Sequence, residues 1–173
     1  MKARLAGWLV LAGLLLSGCG AEGAATQAVG ASQARPAQQA ITVSTVDGSQ
    51  AQIGAGKAAA LFFMAAWCGT CLGEADAWRQ LVENGQAKDI TVLVVDVDPS
   101  DTLDGLQRFR AALPSDPLHW VMDRDGQLAR RFNVQTLDTT IILDRAGREV
   151  YRDLVPSSVP QLQQALSRLR GRQ

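Results

Sequence analysis

The hydrophobic pattern divides the chain into an apolar leader, a polar spacer and one folded stretch. After a basic start at Lys2 and Arg4, residues 5–16 (LAGWLVLAGLLL) are continuously apolar. Spanning a bilayer takes about 20 such residues, so this run suits the apolar region of an export signal better. Residues 21–40 are rich in Ala, Gly, Gln and Ser, lack an apolar period and read as a flexible tether. Packed elements begin at Ile41. Residues 41–46 alternate as a strand, Asp47-Gly48 turns, and 50–53 return as a hairpin. The run 58–66 (AAALFFMAA) is apolar throughout and 90–97 (ITVLVVDV) is mostly so, as in strands covered on both faces. Between them, 70–83 places Leu72, Ala75, Trp78, Leu81 and Val82 on one helical stripe, ended by Asn84-Gly85. Asp98-Pro99-Ser100-Asp101 reads as a break and capping site before a helix over 102–112. A short strand at 119–122, a helix at 127–132, a hairpin of 139–143 with 149–153, and a helix at 159–169 entered through Ser158-Val-Pro-Gln161 complete the chain. Alternating strands and helices closed by a hairpin and a helix predict an α/β fold with a mixed central sheet flanked by helices.

Composition narrows the function classes. The 173 residues carry 17 Lys plus Arg against 17 Asp plus Glu, and removing Lys2 and Arg4 with a leader leaves 15 against 17, a net of −2. Such a surface offers no basic face to neutralise phosphates, so no nucleic-acid partner is expected. The folded stretch from residue 41 is about 130 residues, the size of one domain. One His excludes a His-rich metal centre. Three cysteines, Cys19, Cys68 and Cys71, are too few for a disulfide scaffold.

The chemistry concentrates in Trp67-Cys68-Gly69-Thr70-Cys71, between a buried strand and a helix. Cys68 falls at the helix N-terminus, where unpaired N–H groups and the positive dipole end favour a thiolate. Cys71 lies three residues on, along the same helical face. It is placed to attack a mixed disulfide on Cys68 and release a reduced partner. Half a zinc site and two unrelated thiols are the competing readings. A closed zinc site needs four ligands, and there is no second CxxC or His pair, so no metal ligands are assigned. His119, before Trp120 at a strand start, reads as structural. Trp67 is expected to pack beside the cysteines and meet partners, and Trp78 to be core.

Two resemblances extend this reading. The ending Leu16-Ser17-Gly18-Cys19 resembles the lipobox of bacterial lipoproteins, which implies a signal peptide at 1–18, a lipid on Cys19, a linker over 19–40 and attachment to a bacterial membrane, facing the periplasm or the cell exterior. Residues 41–173 resemble the thioredoxin superfamily, within it the membrane-tethered group that includes TlpA, ResA and CcmG. The leading hairpin, the WCxxC step from strand to helix, the inserted helix-strand segment near 101–122 and the TTIILDRAGREV hairpin carry the likeness. The resemblance implies a thiol–disulfide oxidoreductase with no cofactor beyond the redox-active Cys68–Cys71 pair. Its implied partners are protein dithiols and disulfides, with a membrane thiol transporter as electron donor. Glu74 matches the Glu of the group's WCxxCxxE pattern, which lies near the cysteines and tunes or shuttles their protons. Gly69, Thr70, Leu137, Asp138 and Thr139 are the supporting positions. Asp138 departs from the pattern: it occupies the slot of the group's cis-Pro, where a carboxylate would oppose a thiolate on Cys68. A non-proline cis bond is costly, so Leu137-Asp138 is expected trans. Phe62 fills the slot of thioredoxin's buried Asp. The alternative reading is a redox-inactive or metal-binding module that uses the cysteine pair, with four thiols from two chains.

Overall fold

The computed structural model describes residues 39–54 and 56–171. The proposed signal segment, Cys19 and all but the end of the tether lie outside the described residues.

Among the described residues eleven elements follow in order: β1 (Ile41–Ser44), β2 (Gln50–Ile53), β3 (Ala58–Met64), α1 (Gly69–Glu83), β4 (Ile90–Asp96), α2 (Leu103–Ala111), β5 (His119–Met122), α3 (Gln127–Arg131), β6 (Thr139–Leu143), β7 (Glu149–Asp153) and α4 (Val159–Arg170). The central sheet runs β5-β4-β3-β6-β7, and β1 with β2 forms a separate hairpin. Strands β3, β4 and β5 are parallel, while β6 is antiparallel to both β3 and β7. This is a thioredoxin-like fold with a mixed sheet flanked by helices.

The continuous apolar runs are explained by two cores. Successive side chains of β3 point to opposite faces. Ala58, Ala60, Phe62 and Met64 pack with Cys71, Ala75, Trp78 and Leu81 of α1, Leu106 and Phe109 of α2, and Leu162 and Leu166 of α4. Ala59, Leu61 and Phe63 face the other way, onto Ala51 and Ile53 of the hairpin and Leu128 and Phe132 at α3. Every residue of β3 is buried, and so is every residue of β6.

Element ends depart from the sequence pattern where the chain turns toward the redox loop. β1 stops at Ser44 because Thr45 bonds back to Ser49 and the Val46 N–H leaves the hairpin for the Trp120 carbonyl, 2.8 Å away. β3 stops at Met64, since the Ala65 carbonyl accepts the Cys68 N–H at 2.9 Å and closes a turn. The cap of α2 is Thr102, whose hydroxyl accepts the Gly105 N–H at 3.0 Å. Asp98 and Asp101 are thereby left for another task. In the β6–β7 turn, Gly147 takes φ 74°, a backbone state open to Gly without a Cβ penalty.

Candidate active site

Cys68 and Cys71 form a disulfide at the start of α1. Cys68 is the N-cap, in extended backbone, and its sulfur accepts the Cys71 N–H at 3.3 Å. This is one of the donors a helix start leaves unpaired. Cys68 is 6% exposed and Cys71 is fully buried, so only Cys68 of the pair keeps any exposure. Gly69 borders the pair on open space: a Cβ there would meet nothing within 4 Å.

The loop before β6 closes the site from the opposite side. The chain has no cis peptide bond among the described residues, so Leu137–Asp138 is trans, as expected. Asp138 takes φ 55°, a left-handed conformation uncommon outside Gly, Asn and Asp. Its carboxyl is buried, with Oδ2 4.0 Å from Cys68 Sγ. The Thr70 hydroxyl donates to Asp138 Oδ2 at 2.8 Å and stands 3.4 Å from Cys68 Sγ. Asp138 Oδ1 is buried and accepts no hydrogen bond among the described residues. Leu137 packs half-buried against the main core, and Thr139 pins the loop by donating to the Thr136 carbonyl at 2.7 Å.

Glu74 lies one turn beyond Cys71 on the buried face of α1 and is 1% exposed. Its carboxyl accepts the Thr140 hydroxyl and, at 2.8 Å, the Ser157 N–H. Burial pushes its pKa up to about 7, opposed by those two hydrogen bonds and assisted by the charge of Asp138. Phe62, opposite Thr140 in the sheet register, is apolar and fully buried. At this depth behind Cys71 the acid therefore comes from the helix, and β3 supplies none.

Two corrections concern the loop between β3 and α1. Trp67 does not pack beside the cysteines. It is 67% exposed, and its indole N–H donates to Asp98 Oδ2 at 2.6 Å. The second correction is the role of the segment after β4. Asp101 Oδ2 accepts the Ala66 N–H at 2.7 Å, so two carboxylates hold the redox loop by consecutive residues. Beneath them lies Asp96, the last residue of β4, with 2% exposure and a pKa raised to about 7 by burial and then by the neighbouring charges of Asp101 and Asp98. Sequence reasoning missed Asp96, Asp98, Asp101, Thr140 and Ser157. The available signal was an acid closing an otherwise apolar strand. His119 is exposed at the start of β5, and Trp78 and Trp120 are fully buried.

Comparison with known proteins agrees with this geometry. A Redoxin family model matches residues 32–166. "Mercury resistance operon ORF3" of Streptomyces lividans is 30% identical over 134 residues, 76% of this chain and 70% of that protein. The structure of MTB dsbF in mixed oxidised and reduced forms aligns with a TM-score of 0.66 and 26% identity, covering 78% of this chain and 98% of that one. A secreted disulfide oxidoreductase of Mycobacterium tuberculosis shares the fold at 20% identity and a TM-score of 0.62, over 73% of this chain and 94% of its own. The chain belongs to the Redoxin family and is a thiol–disulfide oxidoreductase of thioredoxin-like fold.

Proposed function

We propose that Cys68 is the attacking thiol and Cys71 the resolving one in the reduction of protein disulfides outside the cytoplasm. The observation that carries this reading is the asymmetry of the pair: Cys68 reaches solvent at the N-cap of α1 while Cys71 is fully buried. In the dithiol form the Cys68 thiolate attacks one sulfur of a partner disulfide. That S–S bond breaks, a mixed disulfide forms, and the departing partner thiolate takes a proton. Cys71 then gives up its proton and attacks Cys68 Sγ. The second partner thiol leaves, and the Cys68–Cys71 disulfide seen here remains, two electrons poorer. The helix N-terminus stabilises negative charge on Cys68. Glu74, on the same buried face as Cys71 with a pKa about 7, is suited to take the Cys71 proton near neutral pH. Trp67, the most exposed large apolar side chain among the described residues, stands next to Cys68 and offers the partner a flat contact.

The electrons returning the pair to the dithiol form are assigned to a membrane thiol transporter, and the lipid to Cys19. Support for both is the basic start, the 12-residue apolar run and the LSGC ending. No helix among the described residues is long and apolar enough to cross a membrane. Mass spectrometry of the mature chain tests the anchor: a lipid on an N-terminal Cys19 supports it, and an unmodified or differently cleaved N-terminus refutes it. Trapping tests the chemistry. Cys71→Ser is expected to accumulate mixed disulfides through Cys68, and Cys68→Ser to accumulate none. Traps forming only through Cys71 would reverse the roles.

A further inference from the structure

We infer that the dithiol form holds a thiophilic divalent cation such as Zn²⁺ on Cys68 Sγ, Cys71 Sγ and a carboxylate oxygen of Asp138. The three ligand atoms already lie within 4.8 Å of one another in the disulfide form. Around a tetrahedral zinc with bonds of about 2.0–2.3 Å, ligand atoms stand about 3.3–3.8 Å apart. The carboxylate has a small approach to make, and the two sulfurs, bonded to each other here, part when the disulfide is reduced.

Asp138 is the residue that turns a cysteine pair into a site. Its backbone is left-handed, φ 55°, and its carboxyl lies against the cysteine pair, Oδ2 4.0 Å from Cys68 Sγ. The carboxyl is about nine-tenths buried, yet Oδ1 accepts nothing among the described residues, and Oδ2 has only the Thr70 hydroxyl at 2.8 Å. A buried carboxylate oxygen with no partner is costly and uncommon in folded proteins. No Arg or Lys forms an ion pair with it among the described residues. A cation bound between Oδ1 and the two sulfurs supplies the missing partner and neutralises charges that otherwise repel.

Two thiolates and a carboxylate are a borderline-soft donor set that suits zinc-like ions. Cys71 is fully buried while Cys68 and Asp138 keep a little exposure, so the fourth position lies on the solvent side. Three protein ligands with one open position make an exchangeable site rather than a closed structural one. The cysteine count gives one chain no closed four-thiolate site. It could not reveal Asp138, which joins the cysteines through the fold, 67 positions beyond Cys71.

The site is gated by redox state. Reducing the disulfide takes two electrons and two protons from a dithiol donor, which becomes a disulfide. Zn²⁺ then displaces the two thiol protons. A bound cation occupies both sulfurs and stops disulfide exchange, and oxidation of the pair returns the cation to solution. The inference rests on the redox reading only for access to the dithiol form, and a phosphine reductant supplies that form in the test.

The experiment is an anaerobic titration of the phosphine-reduced full chain with Zn²⁺ against a chromophoric chelator, beside the disulfide form and the variants Asp138→Asn and Asp138→Gly. Both variants accept φ 55°. Expected are one Zn²⁺ per chain in the dithiol form, none in the disulfide form, and at least a tenfold loss of affinity in both variants. Co²⁺ in place of Zn²⁺ should show sulfur-to-cobalt charge transfer, with a ligand-field spectrum that changes in Asp138→Asn. Equal affinity in the variants and the parent overturns the role of Asp138. One Zn²⁺ per two chains overturns the single-chain site in favour of four shared thiolates. Trapping by Cys71→Ser, run without metal, reports separately on the redox reading, and circular dichroism with a cooperative thermal transition confirms that each Asp138 variant is folded.

Discussion

Asp138 Oδ2 stands 4.0 Å from Cys68 Sγ, although 70 positions separate them in the chain. In the metal-free dithiol form this places a carboxylate against the sulfur that the α1 N-terminus would ionise. Two unit charges 4 Å apart interact by about 1 kcal/mol in water and about 4 kcal/mol at an effective dielectric of 20. Asp138→Asn removes the charge at nearly constant size and keeps a residue tolerant of φ 55°. Alkylation of Cys68 at a fixed, mildly acidic pH is expected to quicken by about tenfold, taking about 1.4 kcal/mol per pKa unit. An unchanged rate profile would show that Asp138 carries no charge in the dithiol form.

The second prediction concerns Glu74. Its folded pKa is raised from 4.5 to about 7, chiefly by burial. A raised acid favours the protonated fold, so its contribution to stability is complete below pH 4.5 and is lost as pH rises through about 7. Denaturant midpoints measured from pH 4 to pH 8 should fall across that window, by up to about 3 kcal/mol from this group. Glu74→Gln removes this group's share of the slope and leaves that of Asp96, whose pKa is raised into the same window. At low pH it also lowers stability by about 1–3 kcal/mol, because one amide oxygen replaces the two carboxylate oxygens that serve Thr140 and Ser157, and this deficit closes as the parent loses stability through about pH 7. A slope undiminished in Glu74→Gln would assign it to other groups.

Much of this fold can be read from the chain because its signals are local. The runs 58–64 and 90–96 are apolar at both parities, so two-sided burial follows from the pattern alone. Cys68 and Cys71 sit at a strand-to-helix step that any helix start would polarise. Reading the same way misplaces Asp98 and Asp101. Acids before a helix look like caps, and here Thr102 caps while the acids hold the Ala66 and Trp67 nitrogens. The pairing of Glu74 with Thr140 and Ser157, and of Asp138 with Thr70, spans 66 to 83 positions. Such partners are set by sheet order, which no periodicity encodes. The left-handed turn at Asp138 was equally hidden: the trans bond was foreseeable, the sign of φ was not.

That sign of φ yields a third prediction. Restoring a proline at 138 looks like a repair in sequence terms. Proline fixes φ near −65°, and the loop holds φ 55°, so Asp138→Pro must refold the segment between α3 and β6 and surrender the bond from Thr70. Its thermal midpoint is expected to fall, by more than about 1 kcal/mol of stability, while Asp138→Gly, which accepts φ 55° freely, stays near the parent. Equal midpoints for the two variants would show that the loop adopts a second conformation at no cost.

The last prediction concerns the acid under the redox loop. Asp96 Oδ1 accepts the Asp98 N–H at 3.2 Å, while Oδ2 is buried without a donor. The group facing it is the Asp101 carboxyl, an acceptor like itself, and one proton between them relieves the conflict. This explains why Asp96 is held up at about 7 instead of 3.8. The sign follows that of Glu74: stability supplied by the shared proton is complete below pH 3.8 and lost as pH rises through about 7. Asp96→Asn provides that proton permanently. Its oxygen keeps the Asp98 N–H, and its amide nitrogen donates to Asp101, which in turn holds Ala66. At pH 8 the variant is expected to be more stable than the parent by about 1–3 kcal/mol, the cost of leaving a buried polar atom unsatisfied. At pH 4 the two should be equal. The comparison separates this pair from Glu74, because Asp96→Asn matches the parent at pH 4 whereas Glu74→Gln is destabilised there. Asp96→Leu serves as the control: it removes the charge but leaves Asp101 and the Asp98 N–H without their partner, and it should be destabilised at both pH values. A parent and an Asp96→Asn variant with identical denaturation midpoints at pH 8 would mean that the carboxyl pair is relieved by something other than a shared proton.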